Sequence, residues 1–250
     1  MTGNSLDILA FSPHPDDAEL GCGGSILLAV QQGIKVGVAD MSEGEHSSRG
    51  SPEERRKEKE TASGLLGINN RFSLNLPDAG IGTSPAHRLP LIDLIRKVRP
   101  RIVLVPYGED RHPDHEAAAR LVKEACFFAG VADMGEGKPF RPDRVYYYMG
   151  HSPFTPAFVI DVSPVWEQKL AVIGAYRTQF FHDEPGEGQT AISDPAFLRY
   201  HESRSAYFGA MIGVSYGEPY YCTGPLGLRG IPGSEQPRPI GPWLPKYRCF

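Results

Sequence analysis

Ser12-Pro13-His14-Pro15-Asp16-Asp17-Ala18-Glu19, continued by Leu20-Gly21-Cys22-Gly23-Gly24, stands between an apolar run, Leu6 to Phe11, and a helical pattern reaching Gln32. The apolar run is short and stopped by Pro13, so it reads as a buried strand. Ile26, Leu27 and Val30 then recur at helical spacing, and Gly33 supplies a stop. Lys35 to Asp40 is a second apolar run. Strand, helix and strand in such close succession form a βαβ unit and predict a parallel sheet.

The same alternation continues along the chain. Ser51-Pro52-Glu53-Glu54 offers a cap, a proline for the first helical position and acids for the first turn, predicting a helix to about Leu66. Phe72 to Leu76 predicts a strand. Leu91, Leu94, Ile95 and Val98 mark an amphipathic helix ending before Pro100. Arg101 to Val105 predicts a strand and His115 to Ala129 a helix. Val145 to Met149 and Phe158 to Asp161 are expected strands; Ser163 to Tyr176 and Pro195 to Met211 are expected helices. The loop from His182 to Pro195, rich in Gly, Pro and acids, is a candidate lid. Residues 1–223 are expected to form a single α/β domain, a Rossmann-like three-layer sandwich with a mostly parallel central sheet and its site at the strand C-terminal ends. Residues 224–250 hold six Pro and five Gly and are expected to form an extended tail.

Bulk composition narrows the function. Hydrophobic residues make up 40% and charged residues 22%, as in ordinary globular chains, and the net charge of −4 gives no footprint for nucleic acid or an anionic membrane. No apolar run approaches the roughly 20 residues of a membrane span, and Met1 to Ser5 does not read as a signal peptide. The four cysteines, Cys22, Cys126, Cys222 and Cys249, contain no C-x-x-C pair. They read as reduced thiols of a cytoplasmic protein, with a Cys222–Cys249 bridge as the alternative.

The chemistry concentrates in two clusters. The first holds one imidazole and three carboxylates between His14 and Glu19. An acid here could cap the following helix, but a cap needs one acid rather than two beside a histidine held between prolines. Imidazole plus carboxylate is a zinc-type ligand set, which leaves the other aspartate free to act as a base. The glycines come too late after the strand for a dinucleotide-binding turn, and Gly21, Gly23 and Gly24 are expected to let the helix approach the sheet closely. The second cluster, Arg111-His112-Pro113-Asp114-His115-Glu116, follows the strand ending at Val105. One of its two histidines can complete a three-ligand site and the other can reach a substrate.

Together, A-F-S-P-H-P-D-D-A-E-L-G-C-G-G at 10–24, S-E-G-E at 42–45 and R-H-P-D-H at 111–115 resemble the PIG-L-like (LmbE-like) zinc-dependent N-deacetylases. Tyr-Arg-Thr-Gln-Phe at 176–180 and Tyr-Gly-Glu-Pro at 216–219 are most similar to the bacillithiol-pathway branch, whose members deacetylate N-acetylglucosaminyl-malate. The resemblance implies His14, Asp17 and His115 as metal ligands and Asp16 as general base. It implies His112 as support for the oxyanion or leaving amine and Asp114 as the residue that orients a histidine, either keeping His112 charged or fixing its orientation. Arg55, Glu43 and Arg111 are the implied substrate contacts, Glu43 for sugar hydroxyls and Arg111 for the malate carboxylates. Where some relatives carry a tyrosine before H-P-D-H, this chain has Asp110. The implied cofactor is one zinc ion per chain, with ferrous iron as the cellular alternative. The implied partner is a small amino-sugar conjugate, and the implied assembly a homo-oligomer, trimer or hexamer. Other N-acetylglucosamine conjugates or disaccharides, a metal-dependent phosphoesterase and a non-catalytic sugar-binding module are the competing readings.

Overall fold

β1 (Ile8–Ser12) lies inside a seven-stranded sheet, paired in parallel with β2 (Val36–Asp40) on one side and β4 (Ile102–Pro106) on the other. The computed structural model describes residues 5–181 and 190–227. β3 (Asn70–Ser73) continues the parallel set beyond β2, and β5 (Arg144–Tyr148) continues it beyond β4. β7 (Gly217–Tyr221) then runs antiparallel between β5 and β6 (Phe158–Asp161), giving the order β3-β2-β1-β4-β5-β7-β6. The expected mostly parallel α/β sheet is therefore present.

Both faces of the sheet are covered, which is why its inner strands read as apolar runs without polar alternation. Leu9, Phe11, Val103 and Val105 face α3 (Pro85–Val98) and α4 (Pro113–Phe128), meeting Leu91, Ile95, Leu121 and Val122. Ala10, Val38 and Leu104 face the other way, in the core built with α1 (Asp17–Gln31), α2 (Pro52–Leu66) and α5 (Trp166–Gly174). The short α6 (Arg177–Phe180) and the long α7 (Pro195–Ile212) complete the described elements. Among the described residues no helix is long and apolar enough to cross a membrane. Residues 182–189 of the expected lid and 228–250 of the expected tail lie outside the described residues.

Three elements differ from expectation. β3 ends at Ser73, because its register on β2 pairs Asp40 with Ser73; Leu74 and Leu76 then bond to the backbone of Asp40 and Met41 beyond the strand. α3 starts earlier, at Pro85, where the Ser84 hydroxyl accepts from the His87 amide. The segment expected as one helix from Ser163 to Tyr176 divides into a 3-10 turn, Ser163–Val165, and α5, with α6 following beyond it.

α1 is kinked at Cys22, where φ is −141°. The amides beyond the kink donate to Glu218 of β7: Gly24 N to Oε1 at 2.7 Å and Ser25 N to Oε2 at 2.8 Å. Lys169 Nζ donates to the Leu20 carbonyl at 2.8 Å and to Glu218 Oε1 at 2.7 Å. The break in the helix ladder is thus closed on both sides by one buried ion pair. Gly21 packs directly on the Tyr148 ring, whose hydroxyl donates to Phe11 O at 2.9 Å, and a Cβ there would fall within the ring. Gly24 meets Val162 and Glu218 less tightly but still too closely for a Cβ, whereas Gly23 has room for one, so Gly21 and Gly24 bring α1 onto its neighbours. Gly21→Ala should lower stability by about 1–3 kcal/mol, the usual cost of overpacking a tight contact; urea denaturation followed by circular dichroism measures it, with a shift in midpoint at unchanged slope expected.

Candidate metal centre and active site

The turn after β1 is locked by short-range hydrogen bonds. Ser12 Oγ donates to His14 O at 2.6 Å and accepts from Ala18 N at 3.0 Å. Asp16 sits at φ 120°, a backbone state that costs a non-glycine residue about 1–3 kcal/mol. The turn directs Asp17 Oδ2 back toward His14, where it accepts from the backbone amide at 3.0 Å and lies 3.1 Å from Nδ1. β4 is the neighbour of β1, so the start of α4 arrives beside the same carboxylate. His115 Nε2 is 3.2 Å from Asp17 Oδ2.

The far nitrogen of each ring faces a carboxylate. His14 Nε2 lies 3.2 Å from Asp114 Oδ2 and 3.1 Å from Asp78 Oδ1. His115 Nδ1 lies 3.5 Å from Asp110 Oδ2. Asp114 is in turn held by the Ala79 amide at 2.8 Å and the Ile81 amide at 3.2 Å. Asp110 accepts from the His112 and His151 amides at 3.0 and 2.7 Å and pairs with His151 Nδ1 at 2.9 Å. Gly150 lets this assembly close, because a Cβ there would collide with Asp110 and approach His115 Nδ1 to 3.3 Å.

Two imidazole nitrogens and one carboxylate oxygen, all within 4.8 Å, with carboxylates behind both rings, fit a divalent metal with nitrogen and oxygen ligands. Two overlapping groups, His14–His112–Asp114 and Asp110–His115–His151, meet the same distance condition but draw on these supporting residues. His14, Asp17 and His115 would therefore hold the metal.

The charges are strongly coupled. Burial opposes the imidazolium of His14, but Asp114, Asp17 and Asp78 hold it up to about 12. His115 is pushed up to about 9, against its burial, by Asp17 and Asp110. Burial would raise Asp17, yet the two imidazoles keep it well below the usual carboxylate range. Its neighbour goes the other way: burial and the Asp17 charge push Asp16 well above that range, with Arg55 and His14 opposing.

The remaining expected site residues fall into place unevenly. Arg55 is buried, with Nη2 3.4 Å from Pro15 O, behind the catalytic turn. Arg111 is exposed and lines a cavity of about 780 Å³ together with Asp17, His151, Tyr200 and Arg204. Glu43 is bound to Lys59 Nζ at 2.6 Å and is absent from the cavity wall. Asp114 orients His14, whereas His112 Nδ1 accepts from the Asp114 amide at 3.2 Å. Burial and the His14 and His115 charges lower the His112 pKa. His112 is thus a neutral ring with Nε2 as donor, not the protonated ring held by Asp114 that was expected. Asp78 and His151 were missed, and Asp110 was noted without a role. Each follows the end of a parallel strand, β3, β5 and β4 respectively, and that position was the available signal.

A sequence profile described as GlcNAc-PI de-N-acetylase (PIG-L) matches residues 9–126, the span containing both clusters. The chain belongs to the PIG-L family. A crystal structure of a conserved protein from Thermus thermophilus superposes with a TM-score of 0.82 at 40% identity, covering 89% of this chain and 97% of that one. The diacetylchitobiose deacetylase of Thermococcus kodakarensis is 29% identical over 242 residues, covering 90% of this chain and 83% of that protein. A Bacillus cereus protein named "Probable N-acetyl-alpha-D-glucosaminyl L-malate deacetylase 2" is 27% identical over 187 residues, covering 69% of this chain and 83% of that protein.

Because His14 and His115 bind protons that a metal must displace, metal uptake at neutral pH should release protons. Affinity should rise with pH by about tenfold per unit for each proton released, with two protons displaced below the His115 value near 9 and only the His14 proton above it. Calorimetric zinc titrations in buffers of different ionisation enthalpy measure the released protons. Asp110→Asn should weaken zinc binding by about 10–100-fold, the usual effect of removing a carboxylate behind a ligand histidine; a competition titration with a chelating dye reads it.

Proposed function

We propose that this PIG-L protein is a zinc-dependent N-deacetylase of an N-acetylglucosamine conjugate, with N-acetylglucosaminyl-malate as the substrate. The observation that carries this reading is a three-donor metal group beside an aspartate of raised pKa, at one end of a cavity sized for a glycoside. The names of the Thermococcus and Bacillus relatives support the substrate class, and the Bacillus relative supports the malate aglycone.

A bound divalent metal in this site supplies water acidification and carbonyl polarisation. The chain's own residues do the rest. Asp16 takes the proton of the attacking water as oxygen adds to the acetyl carbon. Its elevated pKa suits a carboxyl that must accept and then return a proton. His112 donates from Nε2 to the developing oxyanion as a neutral ring, its tautomer fixed by the Asp114 amide. Asp16 then delivers its proton to the amine nitrogen as the C–N bond breaks, leaving acetate and a free amino sugar. The Arg55 charge opposes the rise in the Asp16 pKa.

Amine release from N-acetylglucosaminyl-malate, by zinc-loaded and chelated protein, tests the reading beside plain N-acetylglucosamine. Metal-dependent release that favours the malate glycoside is expected; release without preference would remove the malate assignment. Asp16→Asn should keep its zinc and lose roughly 10²–10⁴ in turnover, the range for a general base. Near-normal turnover would exclude Asp16 from the mechanism. His115→Ala should lose both zinc and activity, and full zinc occupancy by metal analysis would show that another residue is the ligand.

A further inference from the structure

One half-buried cation on the cavity wall has no carboxylate partner among the described residues. Arg204, on α7, lines the cavity and has no carboxylate within ion-pair distance among the described residues. Arg71 and Arg96, two other arginines of the interior, are more fully satisfied. Arg71 grips Asp40 through Nε and Nη2 and Glu19 through Nη1. Arg96 donates to a nest of backbone carbonyls that includes Ala129, Val131 and Gly135. Arg204 instead donates from Nη1 to the Gly150 carbonyl and sets Nη2 3.4 Å from His201 Nδ1. Burial lowers its pKa, outweighing Tyr200 beside it and the more distant charges of Asp110 and Glu218.

His201 strengthens the same wall. It is 3% exposed, and burial together with Lys169 and Arg204 keeps it neutral. With Nδ1 turned to a guanidinium, which only donates, the ring proton resides on Nε2. That nitrogen is buried and has no partner among the described residues. Asp194, the acid besides Asp17 that lines the cavity among the described residues, uses Oδ1 to cap α7 through the Ala196 amide at 2.8 Å. A cavity-wall guanidinium met by one backbone carbonyl and a neutral imidazole, with no carboxylate among the described residues, describes a site whose missing member is an anion.

We infer that Arg204, with His201 beside it, forms a carboxylate-binding subsite for the anionic end of the substrate. Its position relative to the metal group is set by Gly150. That residue abuts Asp110 and His115 on one side and accepts from Arg204 on the other. The subsite is therefore one residue's width from the ligands. In a 2-acetamido sugar the anomeric carbon adjoins the carbon bearing the acetamide. An acetamide held at the metal group thus brings an acidic aglycone to Arg204, while Arg111 meets it from the cavity mouth. This assignment rests on the proposed deacetylase reading for its sugar, but the anion subsite itself does not.

The test uses full-length, zinc-loaded wild type, Arg204→Gln and Arg204→Lys. Two readouts are needed: kcat/KM on N-acetylglucosaminyl-malate and on uncharged N-acetylglucosamine, and calorimetric binding of L-malate alone. Arg204→Gln should cut the preference for the malate glycoside by about 10–100-fold, mainly through KM, and weaken malate binding similarly. Arg204→Lys should recover part of both, since it keeps the charge and loses the planar fork. An equal loss on both substrates would overturn the proposal and make Arg204 a structural support for Gly150. Should the wild type deacetylate neither substrate, the functional reading falls and malate binding decides alone. Binding that is lost in Arg204→Gln supports the subsite; no binding to the wild type overturns it.

Discussion

A single oxygen, Oδ2 of Asp17, holds the site together. It accepts the His14 amide and stands 3.1 and 3.2 Å from ring nitrogens on residues a hundred positions apart. That convergence depends on the sheet. β1 and β4 are neighbours and parallel, so the segments leaving their C-terminal ends meet, and α1 and α4 both begin there. Two helix N-termini at one point favour negative charge. Asp17 and Asp114, in the first turns of those helices, supply it.

Asp16 and Asp17 adjoin in sequence yet are driven in opposite directions. Asp17 faces two imidazoles and stays ionised; Asp16 faces the Asp17 charge and a dry interior, and its proton is held more tightly. The positive φ at Asp16 is what turns the two side chains to different surroundings. One strained residue thus separates the proposed ligand from the proposed base, the division of labour that paired carboxylates in hydrolytic sites commonly show.

The parallel core was legible because its strands are buried on both faces and its helices carry caps and periodic apolar residues. Both clusters were legible for a related reason: their prolines and paired histidines and acids concentrate chemistry in a few positions. β7 was not. Gly217-Glu218-Pro219-Tyr220-Tyr221 has a proline and no alternation, and it becomes a strand only because β5 and β6 pair with it on either side. Asp78, Asp110 and His151 were hidden because each is a lone polar residue in a loop; only the order of strands reveals that those loops share one rim. The Asp114 role was misjudged in its partner. Sequence proximity favours His112, but His112 spends Nδ1 on the Asp114 amide, and the carboxylate reaches across to His14. Arg204 gave no signal, since a helical arginine at that spacing reads as solvated surface.

The kink at Cys22 links the first catalytic segment to the last described strand. Amides of α1 just past the ligand Asp17 are left without helical partners, and the carboxylate that receives them is 194 residues away in the chain. A growing chain that has been made only through α4 already contains His14, Asp16, Asp17 and His115, yet lacks the Glu218–Lys169 pair that closes the helix. Assembly of this site is therefore a late event in the order of synthesis.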